Sequence, residues 1–398
     1  MKFLISTLTL LVTLSACGGG GGGSSSPSTA ITPTNTDTNS TTPTALDNNN
    51  ESLCTSQPTD VNWQALFTAD CPKLTDYNLF QDPLDPTKNP LTPGKLFELN
   101  TQLFSDYANK YRFVFIPPGK KALYQPQEVF DFPLGTVLAK TFALPQDLGD
   151  NNKQNDTIIE TRLLIHRAKG WTAITYQWQN SVATLAEAGA DVPHTLVNKG
   201  NALSFTYHIP SRAQCKNCHQ LSDENANSWI APIGLKARFL NRIVNGHNQL
   251  QDWQIDGQLD GLPDTATIPT AYPIEDTSAD LTARAKGYLD INCAHCHRAE
   301  GASSISGLRL GFFVDHTQTK YGICKQPPGY DGGEAGLNYD IVPGNGEISV
   351  IPYRIGHTQA KDRMPPIGRS LVHEEGVALI KEWINAMEPS LGSCAGGI

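Results

Sequence analysis

Methionine is scarce in this chain: 398 residues hold three, at positions 1, 364 and 387. Any thioether ligand must therefore be one of very few side chains. Positive charge is also short, with 30 Lys and Arg against 39 Asp and Glu, a formal net charge of −9. Losing Lys2 with an N-terminal leader would make it −10. That balance excludes a general affinity for nucleic acid or an anionic lipid surface and suits a basic protein partner better. No apolar run is long enough to stay in a bilayer as a permanent helix. The longest, Phe3–Leu14, is too short for that. Neither length nor hydrophobic content is lacking: 39% of residues are hydrophobic, enough to fill the cores of two or three domains.

The short apolar run has a purpose of its own. Lys2, the run to Leu14 and then Leu14-Ser15-Ala16-Cys17 read as an export signal of the bacterial lipoprotein type over residues 1–16, with Cys17 acylated after cleavage. An ordinary secretory signal with a chance cysteine is the plainer alternative. Residues 17–52 are glycines followed by Ser, Thr, Pro and Asn, with almost nothing apolar, and predict a disordered lipidated tether. About 30 residues of this kind span roughly 30 Å root-mean-square. An exported lipoprotein at the outer membrane follows as an expectation, facing the periplasm or the cell surface.

Cysteine, in contrast, is abundant, and the nine divide without remainder: one at the lipidation position, four in two Cys-x-x-Cys-His motifs and four others. In an oxidising compartment the simplest pairing of the last four joins Cys54 with Cys71 and Cys324 with Cys394. The count alone leaves other pairings open. The motifs are Cys215-Lys-Asn-Cys218-His219 and Cys293-Ala-His-Cys296-His297. Two thiols three residues apart lie on one side of a helical turn, and the next histidine presents its imidazole from that turn. This is the geometry that attaches a c-type haem: the thiols add across the two vinyl groups and the histidine binds iron. Chance would produce such a motif about 0.005 times in a chain of this composition. A zinc site or a thioredoxin-like redox pair is the alternative use of these cysteines. Two covalently bound haem c groups are the expected cofactors, with Cys215, Cys218, Cys293 and Cys296 as attachment points and His219 and His297 as iron ligands.

The second motif has the fuller context. Asp280–Asn292 carries apolar residues at helical spacing and runs directly into Cys293, and His373–Met387 repeats the pattern downstream. Between them lies Arg363-Met364-Pro365-Pro366, whose prolines discourage helix and would hold the Met364 thioether over a haem face. His-Met ligation makes a haem the higher-potential centre relative to bis-histidine. No methionine follows the first motif before the second begins. Its sixth ligand is open among His247, His166, His194 and His208, another group, or none. His295 reads as a haem-edge neighbour, and His357 as a support for the Met364 loop.

Upstream, Tyr111–Ile116, Gly135–Phe142, Thr161–Arg167 and Trp171–Trp178 have strand composition, the last two flanking a hairpin signal at Ala168-Lys169-Gly170. The expected fold class is α+β and multidomain. An antiparallel β-sandwich-like domain over residues 53–210 leads into mainly α-helical cytochrome c-type haem regions, the first over 211–275 and the C-terminal cytochrome c domain over 276–398. Gly234–Val244 reads as a basic amphipathic helix whose Lys236, Arg238 or Arg242 could reach haem propionates, a solvated face being the plainer reading. Asp331 and Glu334 sit in an acidic glycine-rich loop, but their spacing is not that of a known calcium loop.

With these residues laid out, the chain resembles a family of diheme c-type cytochrome lipoproteins of proteobacteria. The stretches that carry the likeness include Leu103–Ala108, Gly135–Leu138, Ile159–Leu164, Ile209–His219, and Tyr339–Gly344 through Arg363–Pro366. The resemblance implies export, haem ligation by the two motifs and a Met-Pro-Pro axial loop, without naming a substrate. Electron transfer to a redox partner protein is the leading expectation. A diheme enzyme, peroxidase-like or otherwise reducing a small oxidant at an open first haem, is the alternative. No catalytic residue is expected, and a sensor role for the β-rich part has nothing in its favour.

Overall fold

A computed structural model describes residues 48–56 and 58–394, so the expected signal, Cys17 and most of the tether lie outside the described residues. The described residues form one compact unit.

Its centre is a six-stranded, wholly antiparallel sheet. The strands are β1 (Lys95–Leu96), β2 (Asn109–Phe115), β4 (Val137–Leu144), β5 (Thr157–Arg167), β6 (Gly170–Gln179) and β7 (Val182–Leu185), hydrogen-bonded in that order. The two-residue β3 (Ala122–Leu123) pairs instead with Leu259–Asp260. Val, Ile, Phe, Tyr and Thr dominate the long strands, residues whose branched or flat side chains suit a pleated surface.

Both faces of this sheet are buried. On one, Phe113, Phe115, Ala139, Leu163 and Tyr176 pack against the segment holding α1 (Asn48–Thr55) and α2 (Trp63–Thr68). That segment is closed by the Cys54–Cys71 disulfide, a cross-link worth about 3 kcal/mol by loop entropy for a ring of this size. Side chains alternate along a strand, so Val114, Ile116 and Leu138 point the other way. They meet Leu235, Phe239, Leu250, Trp253 and Ile291 from the C-terminal half. Further along that face, Phe142 and Leu144 pack under the hairpin of β8 (Ala190–Asn198) and β9 (Asn201–Ile209) through Tyr207 and Ile209.

This overturns the expected fold class. The second layer is not a second sheet, so there is no β-sandwich, and the multidomain plan gives way to a sheet that serves as the floor of both halves. Nor are the motif-bearing regions mainly helical. After Ser211 the helices are α3 (Arg212–His219), α4 (Ala237–Leu240), α5 (Gln249–Ile255), α6 (Leu281–Asn292), α7 (Val350–Ile355) and α8 (Glu374–Asn385), none exceeding 12 residues. Short strand pairs, single 3-10 turns and loops fill the rest. Ten glycines between Gly301 and Gly346 cost too much backbone entropy for continuous helix.

The expected basic helix over 234–244 shrinks to the four residues of α4, and it is neither solvated nor free for another anion. Lys236 and Arg238 both ion-pair with Asp290 of α6, Lys236 at 2.8 Å, while Arg242 pairs with Glu98 at 2.9 Å. Asp290 is 2% exposed and its neighbours hold its carboxyl below the usual carboxylate range. This buried triad joins the stretch after the first motif to the helix that leads into the second.

Helices α6 and α8 pack on each other. Ala285, Tyr288 and Leu289 meet Leu379, Ile380, Trp383 and Ile384, and the Trp383 indole N–H donates to Thr282 Oγ1 at 3.3 Å. Met387 follows α8 and is buried in the same cluster. The Cys324–Cys394 disulfide ties the chain's end to this core.

Candidate functional site

Helix α3 begins with a reciprocal cap. Ser211 Oγ accepts from Gln214 N at 3.3 Å, and Gln214 Oε1 accepts from Ser211 N at 2.8 Å. Such a cap fixes where the helix starts, and it sets Cys215, Cys218 and His219 on the turns that follow. His219 Nδ1 lies 2.8 Å from the Ala231 carbonyl. A carbonyl only accepts, so Nδ1 carries the hydrogen and the Nε2 lone pair is free for a metal.

The second motif repeats this arrangement with a different partner. Cys293 follows α6, and His297 N donates to Cys293 O at 2.9 Å in a turn. His297 Nδ1 lies 3.0 Å from Ser306 Oγ, whose own hydrogen goes to Ser303 O at 2.7 Å. The hydroxyl therefore accepts from the ring, and Nε2 is again left free. Burial pushes both imidazoles down to about 4, so they are neutral, and hence able to bind metal, at ordinary pH. A ligand histidine held by its second ring nitrogen is the usual arrangement at metal centres.

The two motifs meet. Cys218, His295 and Cys296 each bring one ligand atom to a single spot, all within 4.8 Å of one another, and Cys296 Sγ also lies 3.3 Å from Asn217 O. Cys218 and Cys296 interact as one pair, in which the Cys218 thiol is lowered and the Cys296 thiol raised from their ordinary range. His295 Nδ1 is buried without a hydrogen-bond partner among the described residues, a costly state for a ring nitrogen.

A cavity holds Cys215, Cys218 and His219 together against the face of the sheet at Leu138, Lys140 and Arg162. A second cavity shares Cys218, His219 and His295 but not Cys215, and is walled by Trp171 and Trp229. A third, small one brings Cys293 and Met364 together beside Tyr288, Asn292 and Arg369.

The donor groups at both motifs suit covalent haem, although the small cavity beside Cys293 takes in neither Cys296 nor His297. The thiols are paired at the right spacing, the histidines have ordered rings with free Nε2 atoms, and the one methionine in a Pro-rich loop shares a cavity with Cys293. The haem-free chain offers a second use for the meeting point, since two thiols and an imidazole suit a soft cation.

The sixth-ligand candidates of the first motif separate. His194 Nε2 bonds Pro145 O at 2.9 Å, His208 is engaged by Asp191 and Gln214, and His247 is exposed. His166 stacks on Trp171 and bonds Phe132 O through Nδ1 at 2.9 Å, and it lines the second cavity with His219. In the cavity that holds both cysteines, the histidines are His219 and His295.

Sequence reasoning missed what holds the Met364 loop. Arg369 Nη2 donates to Met364 O at 2.8 Å and His357 O at 2.8 Å, and its Nη1 donates to Leu371 O at 2.9 Å. Asp106, from the loop before β2, accepts from Ser370 N and Leu371 N, both at 2.7 Å. No motif marks either residue, because each acts through main-chain groups brought near by the fold. His357 takes part through its carbonyl, while its ring bonds Tyr353 O at 2.6 Å. Asp331 of the acidic loop is paired with Lys361 at 2.7 Å.

No protein-family model matches the chain, and neither the curated proteins nor the solved structures give a match.

Proposed function

We propose that this chain is a diheme c-type cytochrome, a member of the lipoprotein family it resembles. It is exported and anchored through Cys17 at the outer membrane, and it passes electrons to a redox partner protein. The observation that carries the reading is the meeting of the two attachment motifs at Cys218 and Cys296. Groups attached at these adjoining thiols would be held close to one another, which favours electron passage between them.

When bound, each haem supplies an iron that cycles between two oxidation states. The chain's residues do the rest. Cys215 and Cys218, and Cys293 and Cys296, fix the two groups, while His219 and His297 offer Nε2 from rings held by Ala231 O and Ser306 Oγ. Met364, in the loop fastened by Arg369, is the thioether for the second site, raising its potential. The sheet floors the first site, and the α6–α8 core backs Cys293 and Met364 at the second.

Mass spectrometry of the chain matured in a cytochrome c-producing host tests this directly. Two covalent haems are expected on the parent chain and one on the Cys215→Ala/Cys218→Ala variant. A chain that gains no mass, or that holds zinc at Cys218, His295 and Cys296, would sink the proposal. An electron paramagnetic resonance spectrum of the oxidised protein then separates carrier from catalyst. Two low-spin signals support the carrier, whereas a high-spin signal with rapid peroxide turnover makes the first site an enzyme.

A further inference from the structure

The strand register puts three cations side by side. Arg112 of β2 stands opposite Lys140 of β4, and Lys140 stands opposite Arg162 of β5. Directly opposed residues share a face of the sheet with their Cβ atoms about 5 Å apart, where like charges repel. All three line the cavity that contains Cys215, Cys218 and His219. Lys110, two residues before Arg112, belongs to the same face.

Anions are few here. Glu160 is completely buried and paired with Arg162, and it also accepts from the Tyr207 hydroxyl at 2.7 Å. Arg112 finds only neutral acceptors, Gln102 Oε1 at 3.0 Å and Lys110 O at 3.3 Å. Lys140 has no hydrogen-bond or ion-pair partner among the described residues. It and Arg162 both lie over the Phe142 ring, at 4.8 and 4.4 Å from its centre, a contact that attracts cations without neutralising them. In a chain of net charge −9, this is a local excess of positive charge on a surface half out of water. Desolvation and the neighbouring cations push the Lys140 amine well below its ordinary range and the Lys110 amine down to about 7. Such a row is stable with an anion seated on it.

We propose that the row Arg112–Lys140–Arg162 is a carboxylate seat that receives the propionates of the haem attached at Cys215 and Cys218. It orients that haem with its acid edge on the sheet and its thioether edge on α3. The inference rests on the diheme reading for the source of the carboxylates. A soluble carboxylate or phosphate has the same chemistry and is the other source to be distinguished.

The test uses the full chain with its haems, counted first by mass, so that an absent haem counts against the diheme reading and not against the seat. Lys140→Gln should lower the reduction potential of one haem and leave the other unmoved. It should also weaken the ionised-carboxylate infrared bands of haem labelled with carbon-13 at the propionates. Lys140→Arg should restore both. In the parent chain, which needs no variant to fold, those bands should report ionised, cation-paired carboxylates. If they match free haem carboxylates in water, the seat is wrong. A saturable shift of the parent's potential with added phosphate or acetate would show the row open to soluble anions and overturn the propionate assignment. Loss of a low-spin signal in Lys140→Gln would make the amine an iron ligand and overturn it too.

Discussion

The two Cys-x-x-Cys-His motifs share a five-residue signature and differ in almost everything around it. The second is built from its own neighbourhood: α6 delivers Cys293, α8 braces α6, and a loop between them carries Met364. The first is built from distant pieces. Its helix is capped locally, but the cavity beside it takes its floor from β2, β4 and β5, which lie far earlier in the chain. The difference teaches that a motif can fix an attachment point while leaving its chemical surroundings to long-range pairing.

The Asp290 triad joins the two sites and is where the comparison can be broken hardest. Asp290→Asn leaves the Arg238 guanidinium buried without a counter-charge, and such a loss costs about 3–5 kcal/mol. Chemical denaturation should show a drop of that size, and a change under 1 kcal/mol would mean the two sites are not mechanically joined there. Met364→Ala should abolish the methionine-to-iron charge-transfer band at the red end of the oxidised spectrum while the first site's spectrum is untouched. If the band survives, Met364 does not ligate.

Smaller effects should fall in separate pH windows. His373 lies between Phe104 and Tyr288 beside the Met364 cavity, and burial pushes its imidazole down to about 4 from 6.5. The unfolded chain takes that proton first, so stability present above pH 6.5 is lost as pH falls towards 4. His373→Gln should flatten that part of a stability-against-pH curve. On the cation row the window is alkaline. Lys110 is down to about 7 from 10.5, so between these values the unfolded chain holds the extra proton, and stability rises as pH climbs through them. Lys110→Met should remove that rise. Propionates seated on the row would raise the lysine values again, so the alkaline rise should be larger in the haem-free Cys215→Ala/Cys218→Ala chain than in the loaded one.

Local features of the fold were legible where periodicity is strong. Helix α6 runs up to Cys293 as the apolar spacing predicts, α8 follows His373, and the strands around the Ala168–Gly170 turn form a hairpin. The sandwich was misread because strand composition reads the same whether the cover of a sheet is another sheet or, as here, helices, loops and a hairpin. The short basic helix was misread because its charges face Asp290, a partner more than 50 residues away.

What the sequence by itself determined is the donor set of each motif: two thiols and a histidine within five residues owe their arrangement to one turn of backbone, which any fold must respect. That the Cys218 and Cys296 ends of the two motifs touch was decided only by tertiary structure, as was the row of three cations facing the first of them. Each cation sits in its strand between uncharged residues, and alternation alone would have sent it to solvent. Register across three strands, and the cover laid over that face by α3, depend on contacts between residues far apart in the chain, which no local pattern encodes.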